Sequence, residues 1–482
     1  MKKAVKFLIS QACAGLFLDP GLRKTSITLA AILLLKRKKM INKVLVVAPL
    51  RVSHSTWPNE LKKWSDFNGL THVVLHGPKK DELLKQDVDI YLINPEGLDW
   101  LLQPTKIKKG KKVSISVDVR RFKQFGFDVL VLDELTKFKN YSAIRSRALK
   151  QVLPTFARRW GLTGSPAANG LMGLFGQMLM LDLGRSLGQY ITHYRRKYFV
   201  PSFNGFDYTL LNGSAEKIYE AIAPVVLRMA GDDYLELPKL VENVVPVELP
   251  APARKIYDGL EKDLFAELQD GEVTAKNIGV ALGKCRQVAN GAIYHESGLG
   301  ELIKVQKSKR DFTEIHDAKL DALVDLVEEL QGQPALIAYE FQHDLARLQA
   351  RLKGEHGEAL PYIGHGVSVK QGKALEDAWN RGELPLLAAH PMSIAHGLNL
   401  QESGQHVIWF APTWDYELYD QFIRRLLRSG SKHKRIFSHL LVVTDSVDEV
   451  IVASLHGKAT GQQALFTGLK SLQQRRRACP HI

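Results

Sequence analysis

Residues 15–25 read Gly15-Leu16-Phe17-Leu18-Asp19-Pro20-Gly21-Leu22-Arg23-Lys24-Thr25. An apolar run enters Pro-Gly, and a long apolar stretch from Ile27 follows, so the order is strand, tight loop, helix. In that context backbone N–H groups at a helix N-terminus cradle phosphate, a Lys neutralises the β- and γ-phosphates and a Thr hydroxyl holds Mg²⁺. Gly21, Leu22, Arg23, Lys24 and Thr25 are therefore candidate nucleotide-binding residues, with Lys24 also catalytic and Thr25 a metal ligand. Arg23 stands where such a loop usually has Gly. Its β-carbon and long cationic side chain are expected to crowd the nucleotide or distort the turn.

The same alternation continues along the chain. Lys43–Ala48, Asp89–Asn94, Asp128–Asp133 and Trp160–Thr163 read as further buried strands between amphipathic stretches. Strands this continuously apolar imply a parallel sheet covered by helices on both faces. The run Val129 to Glu134 ends in two adjacent carboxylates at the edge where parallel sheets bind ligands. Asp133 is the candidate metal ligand, and Glu134 would orient and activate a water for attack on a γ-phosphate; both are candidate catalytic residues. Leu162 to Pro166 supplies hydroxyls at the same edge, placed to sense the state of a nucleotide.

Between about 184 and 318 longer helical periodicities take over, as in Ala253–Leu268 and Ala275–Ala289. A second set of buried strands follows at Ala335–Tyr339, Leu386–His390, His406–Phe410 and Ile436–Val443. The expected class is α/β, with two parallel-sheet lobes at 1–183 and 319–460, a mainly helical region at 184–318 and a basic tail at 461–482. Arg425 and Arg428 fall on an expected helix over Tyr416–Arg428, three residues apart on one face. Supplied across a cleft, they would stabilise a transferring phosphoryl group.

The chain has 482 residues, 45% of them apolar, and 66 Lys and Arg against 51 Asp and Glu leave a net charge of +15. This excludes disordered and collagen-like classes, and the surplus of cations points to a polyanion as partner. Cys13, Cys285 and Cys479 stand too far apart for a disulfide framework or a four-cysteine zinc site, which fits a reducing cytoplasm. The start resembles a secretory signal, but Lys6 breaks its apolar region and cleavage would remove the strand ahead of the loop. Ile27–Leu35 is too short to span a bilayer. The basic clusters Lys106–Lys112 and Arg475–Arg477 suit a solvated surface as well as a nucleic-acid contact.

In order, these segments resemble the Swi/Snf-like branch of the superfamily-two helicase-related ATPases, especially the compact versions of phage and bacterial genomes. The matching blocks are Gly21–Thr25, Val46–Val52 with Trp57 and Glu60–Trp64, Ile93–Leu98, Leu132–Asn140 and Leu162–Asn169. Later come Leu227–Met229, Lys284–Gly291, His316–Leu323, His396–Gln401 and Gln421 to Gly430. The last block differs from that of the RNA-directed branch, so RNA is the less expected polymer. The resemblance implies two RecA-like lobes that bind ATP and Mg²⁺ in the cleft between them and step along double-stranded DNA as a monomer in the host cytoplasm. It implies nucleotide contact at Gly397, and DNA-backbone contact at Pro49, Arg51, Thr163, Gly164 and Asn399. Three departures stand out: Arg23, Leu135 where a small or polar residue is usual, and no adenine-reading Gln ahead of the loop, since Gln11 lies too late. Arg23 and the missing upstream Gln make a hydrolysis-deficient DNA clamp the alternative expectation.

Overall fold

Runs such as Val44–Ala48 and Val129–Leu132 have no polar side to turn to water, so they are stable as strands only where helices cover both faces. The computed structural model describes residues 1–109, 112–164, 166–167, 170–201, 208–230, 237–270, 275–295, 311–356, 359–394, 398–428 and 430–457. The chain forms two units, Met1–Glu236 and Leu237–Ile482, each built on a parallel sheet.

In the first unit α1 (Lys2–Ser10) leads into β1 (Cys13–Leu18), α2 (Lys24–Arg37), β2 (Lys43–Val47), α3 (Trp57–Lys63), β3 (His72–Val74) and β4 (Ile90–Ile93). Then come β5 (Phe127–Asp133), β6 (Arg158–Thr163), α4 (Leu174–Asp182) and β7 (Val226–Met229). The described strands pair in the order β7-β1-β6-β5-β2-β4-β3, every pair parallel. Because the side-chain period is two, alternate residues enter opposite layers. Leu45, Val47, Leu130 and Leu132 pack with Phe138, Leu149 and Phe175, whereas Val44, Val46, Val129 and Val131 pack with Ile27, Ile32 and Leu35 of α2. β6 lies between β1 and β5, with Thr163 beside Phe17 and Leu162 beside Asp133. Parallel strands put the loops after β1, β2, β5 and β6 on one edge.

The second unit runs β8 (Lys239–Val247), α5 (Ala251–Asp270), α6 (Ala275–Ala289), α7 (Ala318–Glu329), β9 (Ala335–Ala338), α8 (Gln342–His356) and β10 (Tyr362–Ile363). It continues with β11 (Leu386–Ala389), β12 (His406–Trp409), α9 (Tyr416–Ile423), β13 (Arg435–Val443) and α10 (Val447–Gly457). Its parallel order is β8-β13-β12-β9-β11-β10. The α/β class with two parallel sheets is as expected. The expected boundaries at 183/184 and 318/319 fall inside the two units: β7 edges the first sheet, while β8, α5 and α6 belong with the second. β8 contains Glu242, Asn243 and Pro246 and is exposed along most of its length, as an edge strand tolerates. The basic tail at 461–482 lies outside the described residues. Among the described residues no helix is long and apolar enough to cross a membrane.

Two histidines make the second unit sensitive to acid. His316 donates from Nε2 to the Val288 carbonyl at 2.8 Å, and burial, with Arg347 and Lys319 nearby, pulls its pKa down to about 4. His406 is held to about 4 by burial first and by His439 and His433 second, and its Nδ1 lies 3.0 Å from His439 Nε2. Both are neutral in the fold at pH values where an unfolded chain, with an ordinary value of 6.5, takes up protons. Their stabilisation is therefore complete above that value and is lost as pH falls toward about 4. The unfolding midpoint of the second unit should drop between about pH 7 and about pH 5 in thermal melts; an unchanged midpoint would contradict this.

Candidate active site

β1 ends at Leu18 and α2 begins at Lys24, so Asp19 to Arg23 carry the whole turn. Gly21 has φ 91°, and Arg23, the N-cap of α2, lies in the left-handed region at φ 55°, ψ 43°. That conformation costs a residue with a β-carbon about 1–2 kcal/mol. The expected distortion does not occur: the backbone keeps a glycine-like conformation, and the exposed side chain lays its guanidinium 5.8 Å from the centroid of the Trp64 ring. Lys24 Nζ donates to the Leu18 carbonyl at 2.8 Å. A β-carbon on Gly164 would lie 3.6 Å from Lys24 Nζ and 3.1 Å from Pro20 Cδ, so the loops after β1 and β6 touch. The first N–H groups of α2 have no partner within the helix, and Thr25 is half-buried there.

Two strands away, Asp133 ends β5 and is 7% exposed. Its Oδ2 accepts a 2.9 Å bond from the indole of Trp57, a fully buried residue at the start of α3. Glu134 follows at φ 61°, ψ 64°, also left-handed. Leu135 fills the space over Gly161 of β6, where a β-carbon would come within 2.7 Å of its Cδ2. The large residue after Asp-Glu is thus accommodated by the absence of a side chain on the neighbouring strand. Thr163 is 1% exposed, and its buried hydroxyl has no partner among the described residues. An ammonium, a carboxylate pair, the N-terminus of α2 and a hydroxyl with no partner among the described residues at one sheet edge fit a triphosphate with Mg²⁺. Thr163 ends β6 beside Phe17 of β1 at the same sheet edge, and a hydroxyl this buried offers little to a solvent-facing DNA surface. Pro49 and Arg51 follow β2, both half-buried, ahead of a π-helical turn at Val52–Thr56, a feature frequent at functional sites.

In the second unit the expected helix over Tyr416–Arg428 stops at Ile423. Beyond it the chain tightens, with the Arg425 N–H bonding to the Phe422 carbonyl and the Leu400 N–H to the Arg425 carbonyl. Arg425 is buried, donating through Nε to the Gln421 carbonyl at 2.9 Å and through Nη1 to the Leu398 carbonyl at 3.0 Å. Arg428 is half-buried, donates to the Arg424 carbonyl and reaches the side chain of exposed Asn399. Burial lowers its pKa to about 10, which leaves it charged at neutral pH. Asn399 donates its own N–H to Glu376 at 3.0 Å. Arg425, Arg428 and Asn399 are therefore brought together, while Gly397 lies outside the described residues.

Single-sequence reading assigned no role to Trp57, Ser26, Glu60 or Trp64. Glu60 accepts from Ser26 Oγ at 2.6 Å and from Trp64 Nε1 at 2.9 Å, tying α3 to the first turn of α2. The signal for Trp57, Glu60 and Trp64 was their presence in one block of the resemblance, and Ser26 had none; periodicity does not say that an indole meets a carboxylate 76 residues away.

Comparison with known proteins adds the following. The model of the SNF2-related domain matches residues 2–303. Protein p41 of Acyrthosiphon pisum secondary endosymbiont phage 1 is 34% identical over 468 residues, 93% of each chain. An uncharacterized ATP-dependent helicase of Mycoplasma genitalium is 23% identical over 337 residues, 69% of this chain but 30% of that longer protein. Among solved structures, the Sulfolobus solfataricus SWI2/SNF2 ATPase core in complex with dsDNA is 21% identical, covering 98% of this chain and 95% of that one, with a TM-score of 0.41.

Proposed function

The chain belongs to the SNF2-related family of helicase-related ATPases, and on that premise we propose that it is a DNA-stimulated ATPase that moves along double-stranded DNA. The observation that supports this best is the meeting of Lys24, Asp133, Glu134 and Thr163 at the ends of three adjacent strands. In this reading the loop N–H groups and Lys24 take the β- and γ-phosphates, and Glu134 accepts a proton from the attacking water. Mg²⁺, when held by Thr25 and Asp133, neutralises charge on the phosphates. Trp57 fixes the carboxylate of Asp133, and Thr163 serves the phosphate side. Within the second unit, Arg425 positions the segment Leu398–Asn399, and Arg428 is held beside Asn399. Pro49, Arg51, Gly164 and Asn399, with the +15 charge, serve the DNA backbone, so little base specificity follows.

The glycine-like backbone of Arg23 favours this reading over the hydrolysis-deficient clamp, because the loop keeps its turn and the side chain leaves it. Steady-state ATP hydrolysis at low salt, without polymer and with duplex DNA, single-stranded DNA or RNA, tests the proposal beside Lys24→Ala. The largest stimulation should come from duplex DNA, and Lys24→Ala should be silent. Folded protein that binds duplex without hydrolysing ATP would leave the clamp; stronger stimulation by RNA would overturn the choice of polymer.

A further inference from the structure

We propose that Arg23 is a phosphate ligand supplied by the loop itself, resting on Trp64 until a polyphosphate binds. The inference builds on the nucleotide site proposed above and names a residue that the usual loop chemistry does not contain. Arg23 immediately precedes Lys24, and its side chain is exposed. Among the described residues no carboxylate pairs with it; its contact is the Trp64 ring at 5.8 Å. Glu60, the carboxylate beside that ring, is occupied by Ser26 Oγ and Trp64 Nε1.

The energetics favour transfer. A cation resting on an exposed aromatic face gains about 0.5–1 kcal/mol. A guanidinium on phosphate forms two parallel charge-assisted bonds, each roughly twice as strong as a neutral one. The ring does not depend on Arg23 to hold its place, since its indole N–H is tied through Glu60 to the first turn of α2, and Lys63 Nζ lies 5.7 Å from its centroid. Arg23 therefore leaves a resting place that stays in position. Arg23 directly precedes Lys24, so the loop carries two adjacent cations, and a swing of the side chain off Trp64 is the motion required.

The test is calorimetric binding of ATP and of inorganic triphosphate, with Mg²⁺, to wild type, Arg23→Asn, Arg23→Lys and Lys24→Ala. Asn tolerates the left-handed conformation and removes the charge; Lys keeps the charge and loses the fork. Arg23→Asn should bind ATP and inorganic triphosphate about tenfold more weakly, in equal measure, with Arg23→Lys between it and wild type. Tryptophan emission should change on binding in wild type and fail to do so in Trp64→Phe and in Arg23→Asn. Tighter binding by Arg23→Asn would mean that the side chain crowds the loop, equal binding that it takes no part, and a loss for ATP alone that Arg23 and Trp64 hold the base; each overturns the proposal. If Lys24→Ala binds like wild type, the nucleotide site itself is wrong; if Lys24 matters and Arg23 does not, only this inference fails.

Discussion

Glu134→Gln should bind ATP within about threefold of wild type and hydrolyse it about 10²–10⁴-fold more slowly. The substitution keeps the size and one acceptor oxygen of the side chain but replaces the basic carboxylate oxygen that takes a proton from water with an NH2 donor. It leaves Asp133 and its bond to Trp57 in place, so the metal ligand and the binding loop are untouched. Glu134 sits at φ 61°, and a strained conformation held at a strand end is what a group with a fixed aim requires. Single-turnover hydrolysis and equilibrium binding of a fluorescent nucleotide separate the two effects. Turnover at the wild-type rate removes Glu134 from the chemistry, and a parallel loss of binding points to damage in the turn instead.

Most of both sheets was legible because a strand buried on both faces must be apolar at nearly every position, and such runs stand out. The sheet strands that escaped are those not so constrained: β3 and β10 are only three and two residues long, β7 is four residues containing Arg228, and β8 is an exposed edge with a proline. The loop before α2 and the Asp133–Glu134 pair stand at strand ends as expected, because the residue types that a phosphate site would need were read together with the strands that place them. What spacing does not encode is where a long side chain goes. Arg23 reaches Trp64, and Arg425, expected to act on phosphate, turns its guanidinium onto two backbone carbonyls.

The same distinction governs the second large effect. Lys319 and Asn290 lie in two blocks of the resemblance, and a Lys in such a block invites a catalytic role, yet Lys319 is fully buried. Its Nζ lies 2.6 Å from Asp448 and 2.8 Å from Asn290 Oδ1. Asn290 donates to Asp344 at 3.0 Å, and Asp344 accepts the Phe341 N–H at 2.9 Å. Arg347 closes the network on the Asn290 carbonyl and on Asp317. The network ties the residue after α6 to α7, α8 and α10. Removing the cation leaves the Asp448 carboxylate buried without its countercharge, so Lys319→Met should destabilise the second unit by about 3–5 kcal/mol. Adding Asp448→Leu removes the stranded charge and should recover most of the loss, less the 3.2 Å bond that Asp448 accepts from the Val443 N–H. Hydrogen exchange reads this directly, with protection of β9 and β13 falling in the single variant and returning in the double, and β1 and β5 of the first unit as internal reference. Full protection of β9 and β13 in Lys319→Met, together with a loss of ATP turnover, would return Lys319 to the chemistry.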